Sequence, residues 1–246
     1  MIDNVIDIIK KKLIDYIVPG CNDVSYKVCS KINEKLNFYN IDSFFVNNTI
    51  NNKNEFRIFS RKLKLNAPQL IISELEDKSY PAIVKPVDSY SGRGITKIQK
   101  YDKQELKVAK KHAINNSKCK SFVVEQYIDG QLYSHSAFLA DGEVCIDFIV
   151  KVYSSASKYA VDTIYVVPDF SKKLLKDIRI DVQKIAHSLN LRHGLIHTQF
   201  ILKKSKFYIL EVTRRCPGDL YSLLIEYSTG FPYAKYYSNP FINCID

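Results

Sequence analysis

The sequence predicts a mixed α/β fold of the α+β kind, in which short strands and amphipathic helices pack together. Apolar residues recur every three or four positions over the first 36 residues, which is typical of helices with one buried face. From Tyr80 onward, short apolar runs are bounded by turn residues, which indicates strands. Helices and strands then mix without the strict alternation of a parallel βαβ sheet.

The elements follow from the periodicity of the apolar residues. The predicted helices are 2–17, 24–36, 57–65, 103–115, 171–189 and 220–227. The predicted strands are 81–87, 94–99, 121–128, 132–140, 143–153, 195–202 and 207–213. Pro19-Gly20 should end the first helix, and the polar segment 47–55 indicates a break and a candidate domain boundary. Asp129-Gly130 indicates a tight turn, and Asp141-Gly142 is a strong hairpin signal.

Composition narrows the class of protein. The chain has 246 residues, of which 46% are hydrophobic, so it can bury a sizeable core. Its net charge of +10 favours anionic partners, although charged faces are usually just solvated, so a solvated lysine surface is the favoured explanation of the charge. No basic block is interleaved with aromatic residues, so nucleic acid is an unlikely partner. No run approaches the ~20 apolar residues of a membrane span, so we expect no membrane partner.

The cysteines indicate the compartment. None of the six forms a C-x-x-C pair, so we expect reduced thiols in a cytoplasmic protein. The first segment carries Asp3, Asp7 and Asp15, which excludes a signal peptide. His193 and His197 are four residues apart, but Gly194 and the strand pattern favour structural histidines over a metal pair.

Lys85 stands in the apolar run AIVK, directly before a loop with two glycines. A buried lysine is costly unless an anion meets it. The loop Asp88-Ser-Tyr-Ser-Gly-Arg-Gly94 would let backbone N–H groups approach an anion closely. The spacing matches neither a Walker loop nor a dinucleotide fingerprint, and an ordinary β-turn also explains S-G-R-G. A lysine on a rigid strand followed by a glycine-containing loop is one arrangement that could bind a polyphosphate.

The segment HTQFILKKSKFYILEVTRR holds a second candidate site. Alternate side chains of a strand share a face, so the hairpin turn decides whether Gln199 and Glu211 meet. A two-residue turn at Lys204-Ser205 would put them on opposite faces, whereas a three-residue turn would put them directly across from each other. In the second case Gln199, Glu211 and Thr213 offer oxygen ligands of the kind that Mg²⁺ accepts. A solvent-facing hairpin is the alternative.

Five segments occur in a recognisable order. They are NKNEFRIFSRKLKLNAPQ, YPAIVKPVDSYSGRGI, FVVEQYIDG, HGLIHTQF and ILEVTRRCPGD. Together they resemble the ATP-grasp superfamily, specifically its carboxylate–amine ligases and carbamoyl-phosphate-synthase-like members. The resemblance covers about residues 50–225. It implies the ATP-grasp fold, with two α+β subdomains gripping ATP, and it implies ATP and Mg²⁺ (or Mn²⁺) as cofactors.

The resemblance also implies roles for individual residues. Lys85 is similar to the central lysine on the α- and β-phosphates, and Arg215 to the arginine that steadies the transferred phosphoryl group; these two are the expected catalytic residues. The expected nucleotide-binding residues are Lys53, Lys85, Ser91, Gly92, Arg93, Gly94, Glu125, Gln126, Tyr127, Ile128, Ile201 and Leu210. Residues 91–94 resemble the flexible phosphate loop, 125–128 the adenine-reading hinge, including the Glu125 carboxylate, and Ile201 and Leu210 the apolar floor. The expected metal ligands are Gln199, Glu211 and Thr213.

Some positions depart from the family pattern. Leu132 stands where a glutamate usually contacts the ribose, so ribose recognition is in doubt. Thr213 replaces the common asparagine, and Gln199 replaces the frequent carboxylate. Glu211 is then the one formal negative charge among the three ligands, so we expect weaker Mg²⁺ binding or more reliance on ATP oxygens.

The resemblance also suggests domains and partners. We expect residues 1–49 to be a remnant of the α/β domain that precedes ATP-grasp domains, and 50–246 to be the ATP-grasp domain. Within it, about 80–127 would form a small lid subdomain and 128–246 the metal- and ATP-binding subdomain. The expected substrates are a small-molecule carboxylate and an amine. Three explanations of the short N-terminus stay open: the fragment was cut, a homo-oligomer or a partner chain completes the missing domain, or the chain is a reduced member of the family.

Three functions are therefore open at this point. The first is an ATP-dependent ligase that forms an amide through an acyl phosphate, with loop 89–94 closing over ATP. The second is a shortened ATP-grasp protein that binds nucleotide or a partner without turnover. The third, suggested by charge alone, is a binder of nucleic acid or of a membrane surface.

Overall fold

The computed structural model describes residues 2–71, 80–89, 92–155 and 159–244. Its strands form two separate sheets, one of three strands in the order β2-β1-β3 and one of five in the order β6-β5-β4-β7-β8. All paired neighbours in both sheets are antiparallel. The mixed α/β class predicted from the sequence is therefore confirmed.

The helices and strands have the following bounds. The helices are α1 Ile2–Lys12, α2 Asp23–Leu36, α3 Phe44–Asn51, α4 Lys53–Lys62, α5 Lys103–Asn115, α6 Lys172–Ser188, α7 Tyr221–Thr229 and α8 Tyr233–Ser238, followed by a 3-10 helix at Asn239–Ile242. The strands are β1 Ala82–Pro86, β2 Thr96–Ile98, β3 Phe122–Gln126, β4 Gln131–Ala140, β5 Glu143–Tyr153, β6 Thr163–Val166, β7 Gly194–Lys203 and β8 Lys206–Thr213. Within the described ranges, no helix combines the length and apolar content that crossing a bilayer demands.

The three-stranded sheet and α5 form a small unit with its own core. Val84 and Ala82 of β1 are fully buried against Leu106 and Ala109 of α5. Asp102 caps this helix, because its carboxylate accepts a hydrogen bond from the Glu105 backbone N–H at 2.8 Å. Lys85 therefore lies on a strand that a hydrophobic core holds rigid.

The five-stranded sheet is covered on both faces. Helices α3, α4 and α6 pack on one face, with Phe56, Ile185 and Phe200 in the shared core. Helices α2, α7 and α8 pack on the other, with Tyr26 and Tyr233 in a second core. Alternating strand residues feed these two cores, so Leu195 and Gln199 of β7 share the face that α2, α7 and α8 cover.

The predicted break at 47–55 is wrong at the level of secondary structure. Helices α3 and α4 occupy this region, with Asn52 alone between them. The Asn52 side chain caps α4 by accepting hydrogen bonds from the backbone N–H groups of Asn54 and Glu55. A residue expected to interrupt regular structure therefore starts a helix. The first helix is likewise shorter than predicted, since it ends at Lys12 and not at Pro19. The predicted boundary at residue 50 stays a prediction.

The two Gly-containing turn signals differ in outcome. Asp141-Gly142 closes the β4–β5 hairpin, with Ala140 opposite Glu143 and positive φ at both turn residues, so that prediction is confirmed. Asp129-Gly130 is a bend that carries the chain from the small sheet to the large one. A Cβ at Gly130 would lie 2.5 Å from the Leu202 carbonyl oxygen, so the close approach of the two backbones, not a tight turn, requires glycine here.

The buried carboxylate of Asp147, on β5, provides a test of how much a charged cluster stabilises the large sheet. Its carboxylate is 4% exposed and accepts from both Arg179 nitrogens, at 2.6 and 2.7 Å, and pairs with His135 at 3.0 Å. Burial alone would raise the pKa of Asp147, but Arg179 and His135 lower it well below its ordinary value. A carboxyl whose pKa is depressed by folding stabilises the fold above its unfolded pKa, and this contribution is lost as the pH falls through the folded pKa.

We expect Asp147→Asn to lower the free energy of unfolding at pH 7 by ~3 kcal/mol, because it leaves two partners of a buried carboxylate uncompensated. The difference from wild type should shrink as the pH falls below about 4. Urea unfolding measured from pH 7 to pH 3 checks this. The control is Asp141→Asn, whose exposed pair with Arg192 should contribute almost nothing; equal losses in the two variants would contradict the prediction.

Candidate active site

Helix α4 places two cations beside both sheets. Lys53 and Arg57 are one turn apart and therefore lie on one helix face, and both are buried, with 9% and 2% exposure. The Lys53 backbone N–H donates to the Val87 carbonyl at 3.2 Å, and its Nζ donates to the Ser89 carbonyl at 3.0 Å. The start of the helix is thus tied to the loop that follows β1.

A buried ion cluster joins α4 to the small sheet. The Glu125 carboxylate, on β3, accepts from Arg57 Nε at 2.8 Å and pairs with Lys85 Nζ on β1. Burial alone would raise the pKa of Glu125, but Arg57 and Lys85 lower it below its ordinary value. Burial lowers the pKa of Lys85 despite the attraction of Glu125. Arg57 Nη2 also donates to the Leu210 carbonyl of β8 at 2.8 Å, so one guanidinium connects the two sheets.

Lys53 forms a second link, to Glu211 of β8. Its Nζ lies 3.0 Å from Glu211 Oε1, and about half of the Glu211 side chain is exposed. Burial opposes ionisation, but Lys53 and Lys85 lower the pKa of Glu211 below its ordinary value. Glu211 is therefore an ionised, accessible carboxylate paired with Lys53.

The β7–β8 hairpin brings Gln199 opposite Glu211 by a route that the sequence did not indicate. The turn has two residues, since Lys203 pairs with Lys206. A two-residue turn alone would put the two side chains on opposite faces. A β-bulge at Leu210 restores the register, because Phe200 pairs with Ile209 and Gln199 with Glu211. Of the two arrangements left open by the sequence, Gln199 opposite Glu211 is the one observed, but the premise that turn length alone decides it is wrong.

Thr213 and Arg215 lie at the end of β8. Thr213 is 9% exposed, and its hydroxyl accepts from the Arg215 N–H at 3.3 Å. Arg215 forms a forked ion pair with Asp23 of α2, with Nε–Oδ1 at 2.7 Å and Nη2–Oδ2 at 3.3 Å. The neighbouring Arg214 points into the core instead, where it pairs with Asp42 and donates to the Leu195 carbonyl.

The glycine loop is anchored where it begins, at Asp88. Asp88 accepts from the Ser117 hydroxyl at 2.7 Å and from the Cys119 N–H at 3.0 Å. Gly92 and Gly94 have φ of +71° and +75°, a conformation that favours glycine. Arg93 between them is exposed, and Ser91 lies outside the described residues.

The hinge residues connect β3 to β4. Gln126 is exposed, Tyr127 is half-buried and Ile128 is buried. The backbone N–H groups of Gln126 and Tyr127 donate to the Gln69 and Pro81 carbonyls, both at 2.9 Å.

On the large sheet, Ile201 and Leu210 are half-buried. Ile201 pairs across the sheet with Leu132, so apolar side chains occupy the position where the family pattern has a glutamate. The Glu125 side chain faces Arg57 and Lys85, and its predicted contact with adenine stays a prediction.

The structure gathers Lys53, Lys85, Glu125 and Glu211 at the junction of the two sheets, with Gln199 across from Glu211. Sequence reasoning missed Arg57 and Asp23. The spacing of Arg57 one turn after Lys53 could have indicated the first, but no local signal could have paired Asp23 with Arg215, which is 192 residues away. Within the described ranges, no three His, Cys, Asp or Glu side chains cluster as a metal site. Any cation would be held by the Glu211 carboxylate and the Gln199 amide oxygen, which are hard donors that fit Mg²⁺.

Comparison with solved structures identifies the fold. An L-amino acid ligase from Bacillus licheniformis has a TM-score of 0.76 at 23% identity, covering 94% of this chain and 57% of that one. A D-alanine–D-alanine ligase from Bacillus anthracis, complexed with ATP, has a TM-score of 0.67 at 19% identity, covering 87% of this chain and 72% of that one. At these identities the likeness shows a shared fold alone.

Sequence comparison identifies the family. A family model described as an ATP-grasp domain matches residues 78–222, which is more than half of the chain. The chain belongs to the ATP-grasp family, so the resemblance stated above is confirmed.

Two curated relatives are carbamoyl phosphate synthase large chains. That of Thermoanaerobacter sp. is 28% identical over 194 residues, covering 74% of this chain and 18% of the relative. The C-terminal section from Aquifex aeolicus is 24% identical over 159 residues, covering 63% of this chain and 29% of the relative. The chain thus spans less than a third of the length of these curated relatives.

Arg57 offers a test of the cluster that joins the sheets. We expect Arg57→Met to lower the free energy of unfolding by ~3 kcal/mol, because it removes one partner of a buried carboxylate and the donor to Leu210. Arg61→Met makes the same replacement at an exposed position of the same helix and should cost little. Chemical denaturation of both variants checks the difference, and similar losses would show that Arg57 does not connect the sheets energetically.

Proposed function

We propose that this chain is an ATP-dependent carboxylate–amine ligase that forms an amide through an acyl phosphate. The observation that carries the proposal is the ion cluster at the junction of the two sheets, where Lys53 pairs with the accessible Glu211 carboxylate and Lys85 pairs with Glu125. Membership of the ATP-grasp family supports it, as does the likeness to proteins named as ligases.

The residues of this cluster suit phosphoryl transfer. Lys85 and Lys53 would neutralise the phosphates of ATP, and Arg215 would stabilise the charge that develops on the transferring group. A substrate carboxylate oxygen attacks the γ-phosphorus, and the bond to ADP breaks. The amine then attacks the acyl carbon, loses a proton, and phosphate leaves. This scheme needs positioned cations and no covalent nucleophile from the protein.

The lysines are held by carboxylates that a nucleotide can replace. Lys85 pairs with Glu125, and Arg57 holds the opposite side of the same carboxylate. When phosphate oxygens approach Lys85, Glu125 keeps its pair with Arg57 and is not left as an isolated buried charge. The paired state therefore keeps Lys85 correctly aimed until the nucleotide binds.

Gln199 and Glu211 would hold Mg²⁺ or Mn²⁺, with Thr213 as a third candidate. A divalent cation at this place neutralises phosphate charge during transfer. The loop containing Ser91, Gly92, Arg93 and Gly94 would cover the phosphates and exclude water from the acyl phosphate. The base would lie between the 125–128 hinge and the side chains of Ile201 and Leu210.

A second candidate function is nucleotide binding without turnover. Thr213 favours it, because its hydroxyl is nearly buried and already bonded to the Arg215 N–H, which leaves Glu211 and Gln199 as the accessible ligands. Release of phosphate with any pair from a panel of carboxylates and amines would exclude this candidate.

The proposal also includes a location and partners. We place the chain in the cytoplasm, because its six cysteines are free thiols. The acid and the amine would be small molecules. A homo-oligomer or a partner chain stays a prediction that light scattering of the purified protein measures.

Thermal unfolding with and without Mg·ATP is the decisive experiment. At a ligand concentration near 100 times Kd, we expect the Tm of the wild type to rise by ~5 °C. Lys85→Ala should lose most of this rise, because the phosphates lose their buried cation. Lys107→Ala, at an exposed position of α5 on the same small unit, is the control and should keep it. A wild type that Mg·ATP does not stabilise would overturn the proposed function.

A further inference from the structure

The fork between Asp23 and Arg215 joins the N-terminal helices to the candidate active site. Asp23 is the first residue of α2, and Asn22 caps this helix by accepting from the Ser25 N–H at 2.9 Å. The Asp23 carboxylate is therefore presented from a fixed backbone. It meets Arg215 through two hydrogen bonds, at 2.7 and 3.3 Å, and each side chain is 23% exposed.

The geometry of the fork determines which edge of the guanidinium is available. Nε and Nη2 face Asp23, and Nη1 donates to the Cys216 carbonyl at 3.3 Å. Two parallel bonds to a carboxylate fix the plane of the guanidinium as well as its position. Asp23 thus holds the Nε and Nη2 edge of the Arg215 guanidinium, and Nη1 points away from the Asp23 carboxylate.

The fork lies beside the predicted metal ligands. The Arg215 backbone N–H donates to the Thr213 hydroxyl at 3.3 Å, and Thr213 lies two residues after Glu211 on β8. The backbone supports this juxtaposition, because a Cβ at Gly218 would lie 2.6 Å from the Cys21 carbonyl oxygen. The segment before α2 therefore packs directly on the segment that follows Arg215.

We propose that Asp23 is a positioning residue that holds Arg215 in the orientation required to contact the γ-phosphate of ATP. The N-terminal helices are then part of the active site and not only a support for it. This inference rests on the proposed function, since it requires that the site bind a nucleoside triphosphate.

The neighbouring pair, Asp42 with Arg214, shows the difference between a structural pair and a positioning pair. Arg214 is 2% exposed and donates to the Leu195 and His193 carbonyls. Tyr26 donates to Asp42 within the same core. That pair is saturated by protein groups, whereas the pair of Asp23 and Arg215 is partly exposed.

The test compares binding of Mg·AMP-PNP and Mg·ADP by calorimetry, because the two ligands differ by the γ-phosphoryl group. We expect the wild type to bind Mg·AMP-PNP about tenfold more tightly, the effect of one charge-assisted contact. Asp23→Asn should reduce this preference to about twofold while Kd for Mg·ADP stays nearly constant. Asp23→Glu, which keeps the charge, should restore part of it. If Asp23→Asn only disturbed the local structure, the binding of Mg·AMP-PNP and of Mg·ADP would weaken together.

The control is Arg179→Gln, which breaks another forked pair, with Asp147, and should keep the full preference. Asp23→Ser, which retains a hydrogen-bonding side chain at the start of α2, replaces Asp23→Asn if that variant does not fold. A wild type that binds neither nucleotide would overturn the proposed function and the positioning role together, whereas one that binds both equally would overturn the positioning role alone. A wild type with the preference and an Asp23→Asn variant that keeps it would overturn the positioning role alone.

Discussion

The Glu125 carboxylate is the constraint on which the arrangement of the two sheets depends. It is buried between Arg57 and Lys85, and removing a charge from water costs several kcal/mol unless a partner compensates it. One carboxylate therefore makes it possible to bury two cations at the junction of α4, β1 and β3. Because Arg57 also bonds the Leu210 carbonyl, the same compensation fixes the small sheet relative to the large one.

Cations outnumber carboxylates at the junction of the two sheets, and this excess favours the binding of an anion. Lys53, Arg57, Lys85 and Arg215 contribute four cations, while Glu125, Glu211 and Asp23 contribute three carboxylates. Arg57 Nη1 is buried without a hydrogen-bond partner in the described part of the chain. A partly desolvated site with surplus positive charge attracts an anion over a long range. The cations need no rearrangement of the backbone to receive it, because each is already anchored by a carboxylate.

Much of the fold and part of the site could be predicted from the sequence, for reasons that particular residues illustrate. The periodicity of the apolar residues predicts the bounds of α2 and α5 to within a residue or two, and Asp141-Gly142 predicts a hairpin. Both signals are local in the sequence. The prediction of a break at 47–55 is wrong because an asparagine such as Asn52 is common both in chain breaks and at helix starts. Only the packing of the surrounding chain decides which of the two forms. Lys85 stood out because a lysine in an apolar strand is costly. Asp23 and Arg57 did not stand out, since their partners lie 192 and 68 residues away in the chain.

The bulge at Leu210 makes the alignment of the candidate metal ligands depend on one residue outside the turn. Pairs between the bulge and the turn, such as Phe200 with Ile209, follow one register, and pairs beyond it, such as Gln199 with Glu211, follow another. Without the extra residue, Gln199 would pair with Leu210, and the Glu211 side chain would lie on the opposite face of the sheet. One unpaired residue within the strand therefore decides, together with the two-residue turn at Lys204-Ser205, which oxygen ligands share a face.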